Sequence, residues 1–340
     1  MQSNQSFPIR ALRGRHQRLR DTGCAVALSA ILLSGAGVGV ANAQPHSGLQ
    51  LSEINEASHP YSTWNCARQP IKTRMVGRSL EVRVGEESRF LLPAVSASGA
   101  RYVAPGDADT EFWSKGGQAN VTWSGVALPI CAQEGTLVTP VRASGNEPFW
   151  SIDYDGWQIT LSEPGRPEQQ FTQVEQSPSA YGWTLQTTEG RPSVRVNITE
   201  AVCQDNMSGQ LYPYTVTLNM NEQTHQGCGG DPARLLQGAT WQLKTVGETA
   251  VTVAAHLEFL ADNRLAGSDG CNRLMGRYEL SGEGIRFSQL AGTRMACAPE
   301  IMKQADTIGR LLADVHRFAF DDSGALLLET SADTLRLVAE

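Results

Sequence analysis

Apolar and polar residues alternate with period two through much of the chain. Leu80-Glu81-Val82-Arg83-Val84 and Ala119-Asn120-Val121-Thr122-Trp123 each make one face apolar and the other polar. Trp157-Gln158-Ile159-Thr160-Leu161 and Tyr214-Thr215-Val216-Thr217-Leu218 do the same. Such runs predict half-buried strands. Gly85, Gly99, Gly106 and Gly116-Gly117 punctuate the first two runs, which suits antiparallel hairpins, and Pro164-Gly165-Arg166-Pro167 marks a turn. Helical spacing stands out once. Ile301, Ala305, Ile308, Leu311, Leu312 and Val315 recur behind Ala298-Pro299-Glu300, where a proline and an acid suit a helix start. That face predicts core, docked on a sheet. The chain reads as mainly β, built of β-rich modules in series, the last of them α+β with one helix.

The amino end departs from this pattern. Arg10, Arg13, Arg15, Arg18 and Arg20 form a basic stretch, Cys24 to Ala41 is uncharged, and Ala41-Asn42-Ala43 offers a cleavage site. This layout predicts a secretory signal over residues 1–43, cut after Ala43, and hence a periplasmic protein. Cys24 opens the apolar stretch instead of closing it, which argues against lipidation. No later stretch approaches the roughly 18 apolar residues of a membrane helix, so no stable membrane insertion is expected after signal removal. Losing five arginines and Asp21 takes the formal charge from −7 to −11. With 41% hydrophobic and 19% charged residues the chain is ordinarily globular, and its acidic balance argues against a nucleic-acid partner.

Six cysteines remain: Cys66, Cys131, Cys203, Cys228, Cys271 and Cys297. An even count in an exported chain predicts disulfides. Fifteen pairings exist, and the simplest joins sequential pairs, 66–131, 203–228 and 271–297. Residues 44–60 are polar and aperiodic and read as a flexible lead-in. Three units follow, over 61–131, 132–232 and 233–340, with net charges of +2, −8 and −3.

Little suggests catalysis, so the chain is read as a non-enzyme. There is no nucleophile elbow, no zinc-protease helix and no P-loop. Gly35-Ala36-Gly37-Val38-Gly39 lies inside the signal. His46, His59, His225, His256 and His316 are scattered, and no metal or cofactor is expected. Asp153 and Asp155 are strand-spaced and Asp321 and Asp322 adjacent, but solvated carboxylates lack the pKa separation of an acid/base pair.

The first unit carries the sharpest signal. Ser98-Gly99-Ala100-Arg101-Tyr102 reads as a strand, Val103 to Asp109 as a polar loop, and Phe112-Trp113-Ser114-Lys115-Gly116 as a second strand. A hydroxyl and a cation then share one rim, with Tyr102 and Trp113 bracing the hairpin across its strands. This segment resembles the MliC/PliC family of periplasmic inhibitors of c-type lysozyme, whose pattern S-G-x-x-Y, spacer, W-x-K-G-x-x-A is met at Ser98, Gly99, Tyr102, Trp113, Lys115, Gly116 and Ala119. The spacer between Tyr102 and Trp113 is longer than in the family's common form. The resemblance implies a small antiparallel β-barrel, a Cys66–Cys131 disulfide, and a c-type lysozyme partner whose two catalytic carboxylates meet Ser98 and Lys115.

The third unit resembles the META/HslJ domain through Gly267-Ser268-Asp269-Gly270-Cys271-Asn272-Arg273, Gly276-x-Tyr278, Thr293-Arg294-Met295-Ala296-Cys297 and the opener Trp241-Gln242-Leu243. That implies an α+β fold exposed in the bacterial envelope. Asn272 and Arg273 are read as part of a disulfide-pinned turn before they are read as a polar site. Gly145-Asn146-Glu147-Pro148-Phe149-Trp150 in the middle unit resembles the signature of an uncharacterised envelope domain, with Phe149 and Trp150 expected in the core. Two further readings compete with inhibition. One is an envelope-stress binding or chaperone-like protein. The other is a hydrolase in the middle unit that uses Glu147, Asp153 and Asp155.

Overall fold

The structure, a computed structural model, describes residues 59–188 and 193–340. The expected signal, its cleavage site, Gly35–Gly39 and nearly all of the lead-in lie outside the described residues. Three antiparallel sheets account for most of the described chain, with one long helix.

The first sheet holds β1 (Ser62–Cys66), β2 (Gln69–Val76), β3 (Ser79–Val84), β4 (Glu87–Ala94), β5 (Ala100–Ala104), β6 (Asp107–Lys115), β7 (Gln118–Trp123), β8 (Val126–Ala127) and β9 (Cys131–Gln133). β1 to β7 pair in succession, apart from β1 and β7, which are joined through β9. β8 and β9 lie end to end along the same edge of β7. The sheet therefore closes into a barrel. Alternation explains its filling: Leu80, Val82, Leu91, Phe112 and Val121 point inward and are buried. Trp64 meets Phe112 edge-on at 5.2 Å and donates its indole N–H to Thr73 Oγ1 at 3.0 Å. Cys66 and Cys131 are directly opposed on β1 and β9 and form a disulfide. Ala119 pairs with Cys131 and is buried, so a small residue is required beside the bridge.

The second sheet has nine strands. Its edges, Gln169–Phe171 and Val174–Ser179, are separated in sequence by only Thr172 and Gln173. Three Cα steps span at most roughly 11 Å, whereas nine flat strands would be about 38 Å across. The sheet must curl almost fully round. β10 (Val141–Asn146) and β11 (Phe149–Tyr154) place Gly145 directly opposite Trp150. A Cβ at Gly145 would collide with Trp150 Nε1 and the Gln226 carbonyl oxygen, so this glycine makes room for the buried indole. Phe149 has the opposite strand parity and is 51% exposed, which corrects its expected core place. β12 is Ile159–Ser162. Trp157 and Gln158 therefore leave the predicted strand for the turn before it. The Asp155 carboxylate accepts their backbone N–H groups at 2.7 and 2.8 Å, which removes them from a ladder. The second disulfide, Cys203–Cys228, ties a two-stranded ribbon (Cys203–Gln204 with Leu211–Tyr212) to this sheet.

The third sheet has eight strands and one helix, α1 (Pro299–Asp314), between Gly284–Gly292 and Arg317–Phe320. Its edge strands approach through a hydrogen bond from Ile285 N–H to His316 O at 3.1 Å. Ala305, Ile308, Leu311 and Leu312 bury the predicted helical face, and Val315 continues it.

The three sheets touch. Arg68, two residues after Cys66, donates to Leu235 O at 2.7 Å and lies over Trp241 at 4.9 Å and Phe320 at 5.3 Å. Cation–π contacts of this partly desolvated kind contribute about 1–2 kcal/mol. A Cβ at Gly238 would sit 2.6 Å from Cys66 O, so the backbones meet directly. Trp183 donates to Gly135 O at 2.9 Å, which binds the second sheet to the segment leaving β9.

Two stability predictions arise here. Gly145→Ala is expected to destabilise by about 1–3 kcal/mol through overpacking, read as a lower denaturant midpoint at unchanged m-value. Asp321 is held at about 2 by the Ser323 hydroxyl, the Ala325 and Ser323 N–H groups and Arg336, against a desolvation cost. Because its folded pKa is depressed, its contribution is present above the unfolded value of about 3.8 and lost as pH falls towards 2. The stability gap between wild type and Asp321→Asn should therefore shrink between pH 4 and 2.

Candidate functional site

The rim of the barrel is built around Gly99. Its φ is +72°, and a Cβ there would collide with the Ser114 carbonyl oxygen and lie 3.3 Å from Lys115 Cβ. Only glycine allows this approach. It lays the loop between β4 and β5, which carries Ser98, against Ser114 and Lys115 at the end of β6. Trp113 Nε1 donates to Ser98 O at 2.8 Å and fixes the loop from its other side. Ser96 Oγ donates to Gly99 O at 3.1 Å. Lys115 and Gln118 flank the turn Gly116-Gly117, with Gly116 at φ +61° as in a type II′ hairpin. Ser98, Lys115 and Gly116 are exposed. The Ser98 hydroxyl and the Lys115 ammonium have no hydrogen-bond or ion-pair partner among the described residues.

Tyr102 and Trp113 do not brace the hairpin together. Tyr102 is opposite Phe112 and Trp113 is opposite Arg101, so the two rings face opposite sides of the sheet. Tyr102 approaches Met75 Sδ at 3.8 Å, while Trp113 serves the Ser98 loop. Nor is Val103–Asp109 a loop. Strand pairing runs to Ala104 and resumes at Asp107, around a tight turn at Pro105-Gly106 with Gly106 at φ +76°. A register shift after Val103 absorbs the extra residues of the long spacer. They are pinned at the far end of the barrel, where Arg89 holds Asp107 at 2.6 Å and Thr110 Oγ1 at 2.8 Å. The extra residues therefore sit away from the Ser98–Lys115 rim.

Sequence reasoning missed the support behind the Gly116-Gly117 turn. A Cβ at Gly117 would run into the Thr136 side chain. Gln118 Nε2 donates to Thr139 Oγ1 at 2.7 Å, and Thr139 N–H returns a bond to Gln118 Oε1 at 3.1 Å. The consecutive glycines were the available signal that something packs closely there.

The other candidate residues do structural work. Asp153 is paired with Arg142 at 2.7 Å. Asp155 is pushed below the usual carboxylate range by the N–H groups of Gln158 and Trp157, the reverse of what a general acid needs. Asp269 accepts the N–H groups of Cys271 and Asn272 at 2.8 and 2.6 Å, and Asn272 Oδ1 accepts Met295 N–H at 3.0 Å. With the Cys271–Cys297 bridge, this is a disulfide-pinned turn. Among the described residues no cluster of three His, Cys, Asp or Glu is placed to hold a metal, and no helix is long and apolar enough to cross a membrane.

The two rim glycines should respond differently to alanine. Gly116→Ala meets open space and should cost only the strain of its positive φ, about 1–3 kcal/mol. Gly99→Ala adds a backbone collision and should cost clearly more, measured by chemical denaturation of both variants.

Comparison with known proteins then locates two families. Residues 64–128 match the MliC family, described as membrane-bound lysozyme-inhibitor of c-type lysozyme, and residues 234–340 match the META domain. A solved structure titled "NMR structure of the protein from Burkholderia xenovorans" is 25% identical over 32% of this chain and 86% of its own, with a TM-score of 0.29. No curated protein matches the chain.

Proposed function

We propose that this chain, which carries an MliC domain in residues 64–128 and a META domain in residues 234–340, inhibits c-type lysozyme in the periplasm by inserting its Ser98/Lys115 rim into the active-site cleft. The close approach at Gly99 is the observation that supports this reading, because it brings the loop backbone that carries Ser98 against Ser114 and Lys115 on an exposed edge.

The chemistry follows from what a retaining glycosidase requires. Its acid and its nucleophilic carboxylate stand about 5–5.5 Å apart and must both be free. Neighbouring chain segments in a sheet run about 5 Å apart, the same scale. A serine hydroxyl on one segment can donate to one carboxyl group. A lysine on the next can neutralise the other. Occupying both stops hydrolysis with no bond made or broken in the inhibitor. Trp113 is a positioning residue here, since it holds Ser98 through the backbone. Tyr102, Gly99 and Gly116 shape the edge.

Charge supports the same partner. C-type lysozymes are strongly basic. The barrel's own balance of +2 offers them nothing, whereas residues 132–232 carry −8. Steering of a cationic partner would come from the middle unit and act mainly on the association rate.

The test titrates a c-type lysozyme with oxidised chain. Stoichiometric inhibition is expected, and Ser98→Ala/Lys115→Ala should weaken it at least about 100-fold, or about 3 kcal/mol. No inhibition at micromolar chain with all three disulfides intact would overturn the reading and favour an envelope-stress binding role.

A further inference from the structure

Trp157 is 72% exposed, and its indole has no ring or hydrogen-bond partner among the described residues. Large aromatics are seldom left so open on a protein's surface. The neighbouring core shows no need for it, since Trp150, Tyr154, Ile159 and Trp183 already fill the second sheet. Its turn is firmly built. Asp155 Oδ1 accepts two backbone N–H groups, and Asp155 N–H donates to Gln158 O at 3.3 Å. The tryptophan is thus displayed on a pedestal of fixed shape.

The pedestal stands beside the rim. Gly156 has φ +101°, and a Cβ on it would lie 3.1 Å from Thr139 Oγ1. Thr139 exchanges two hydrogen bonds with the Gln118 side chain. Gln118 is the cross-strand partner of Lys115. Short contacts therefore run in series from Lys115 through Gln118, Thr139 and Gly156 to Trp157. Topology requires this neighbourhood, because the chain leaves the barrel at the rim end of β9 and enters the second sheet directly. A protein-sized partner seated on the Ser98/Lys115 edge is within reach of the 155–158 turn along this series of contacts.

We infer that Trp157 is a second anchor for the protein held by the rim, so that the inhibitory surface spans two modules. The inference rests on the inhibitor reading and names the same occupant, a basic glycosidase of the c-type lysozyme class. A stable complex buries about 800 Å² on each partner, far more than two rim side chains supply. Exposed tryptophans beside a contact edge are the residues that most often dominate such interfaces. Charge fits as well, since Asp155 on the turn and Glu134 on the adjoining segment present anions to a cationic partner.

The experiment measures the inhibition constant and the dissociation rate of the full chain against a c-type lysozyme. Trp157→Ala should raise the inhibition constant at least about ten-fold, mostly through faster dissociation. Trp157→Lys should cost more, by adding a cation against a cationic partner. Phe149→Ala, exposed at the opposite end of β11, should leave both quantities unchanged. Circular dichroism checks that each variant is folded. If the wild type inhibits and the rim double variant does not, yet both Trp157 variants stay within two-fold of wild type, the second anchor is overturned and the inhibitor reading stands. A tighter Trp157→Ala complex would show obstruction and overturns it too. If the wild type does not inhibit, both fall together.

Discussion

A rim exists only because the first sheet closes on itself. Nine short strands in an open sheet would leave Ser98 and Lys115 on a flexible edge. Closure depends on one junction, where β9 lies between β1 and β7 and Cys66 faces Cys131. On the chain-entropy account, a bridge over 65 residues contributes about 4 kcal/mol. The same junction constrains its surroundings. Ala119 must be small beside it, and Arg68, leaving it, reaches Trp241 and Phe320 of the third sheet. Closing the barrel and docking the META domain are consequences of one stretch of backbone.

Position along the barrel then separates two demands. One end is occupied by the Arg89–Asp107–Thr110 network, which stores the surplus residues of the long hairpin. The other end keeps the Ser98 loop, the Gly116-Gly117 turn and the exit into the second sheet. A partner approaching that end meets a hydroxyl, an ammonium and the start of an acidic module together. On the inhibitor reading, the fused middle module would supply charge and contact area beside the barrel.

Much of this was legible from residue order. The runs Leu80–Val84 and Ala119–Trp123 lie in strands, with Leu80, Val82, Ala119 and Val121 buried as expected, whereas Glu81 on the polar face is buried too, held by Tyr61 and Arg74. Pro299 and the spacing from Ile301 to Val315 identify the one long helix. The motif from Ser98 to Ala119 points to the family of residues 64–128. What stayed hidden turns on register and turn chemistry. Whether Tyr102 or Trp113 faces inward depends on strand parity, and a slip of one residue reverses it. The shift after Val103 cannot be read from apolar spacing, because the residues it displaces, Ala108, Asp109 and Thr110, include no large apolar side chain. Trp157 continues an alternating run in sequence, yet the Asp155 carboxylate competes for its N–H and wins. Phe149 and Trp150 are adjacent aromatics with opposite fates, decided by the glycine across from the second.

On the proposed reading, the Ser98/Lys115 rim occupies the catalytic cleft of a c-type lysozyme. The decisive measurement is competition with a soluble N-acetylglucosamine oligomer that fills that cleft. If the rim enters the cleft, the apparent affinity of the chain for lysozyme falls in proportion to cleft occupancy by the oligomer. An affinity unchanged at saturating oligomer would place the chain elsewhere on lysozyme and rule out cleft entry.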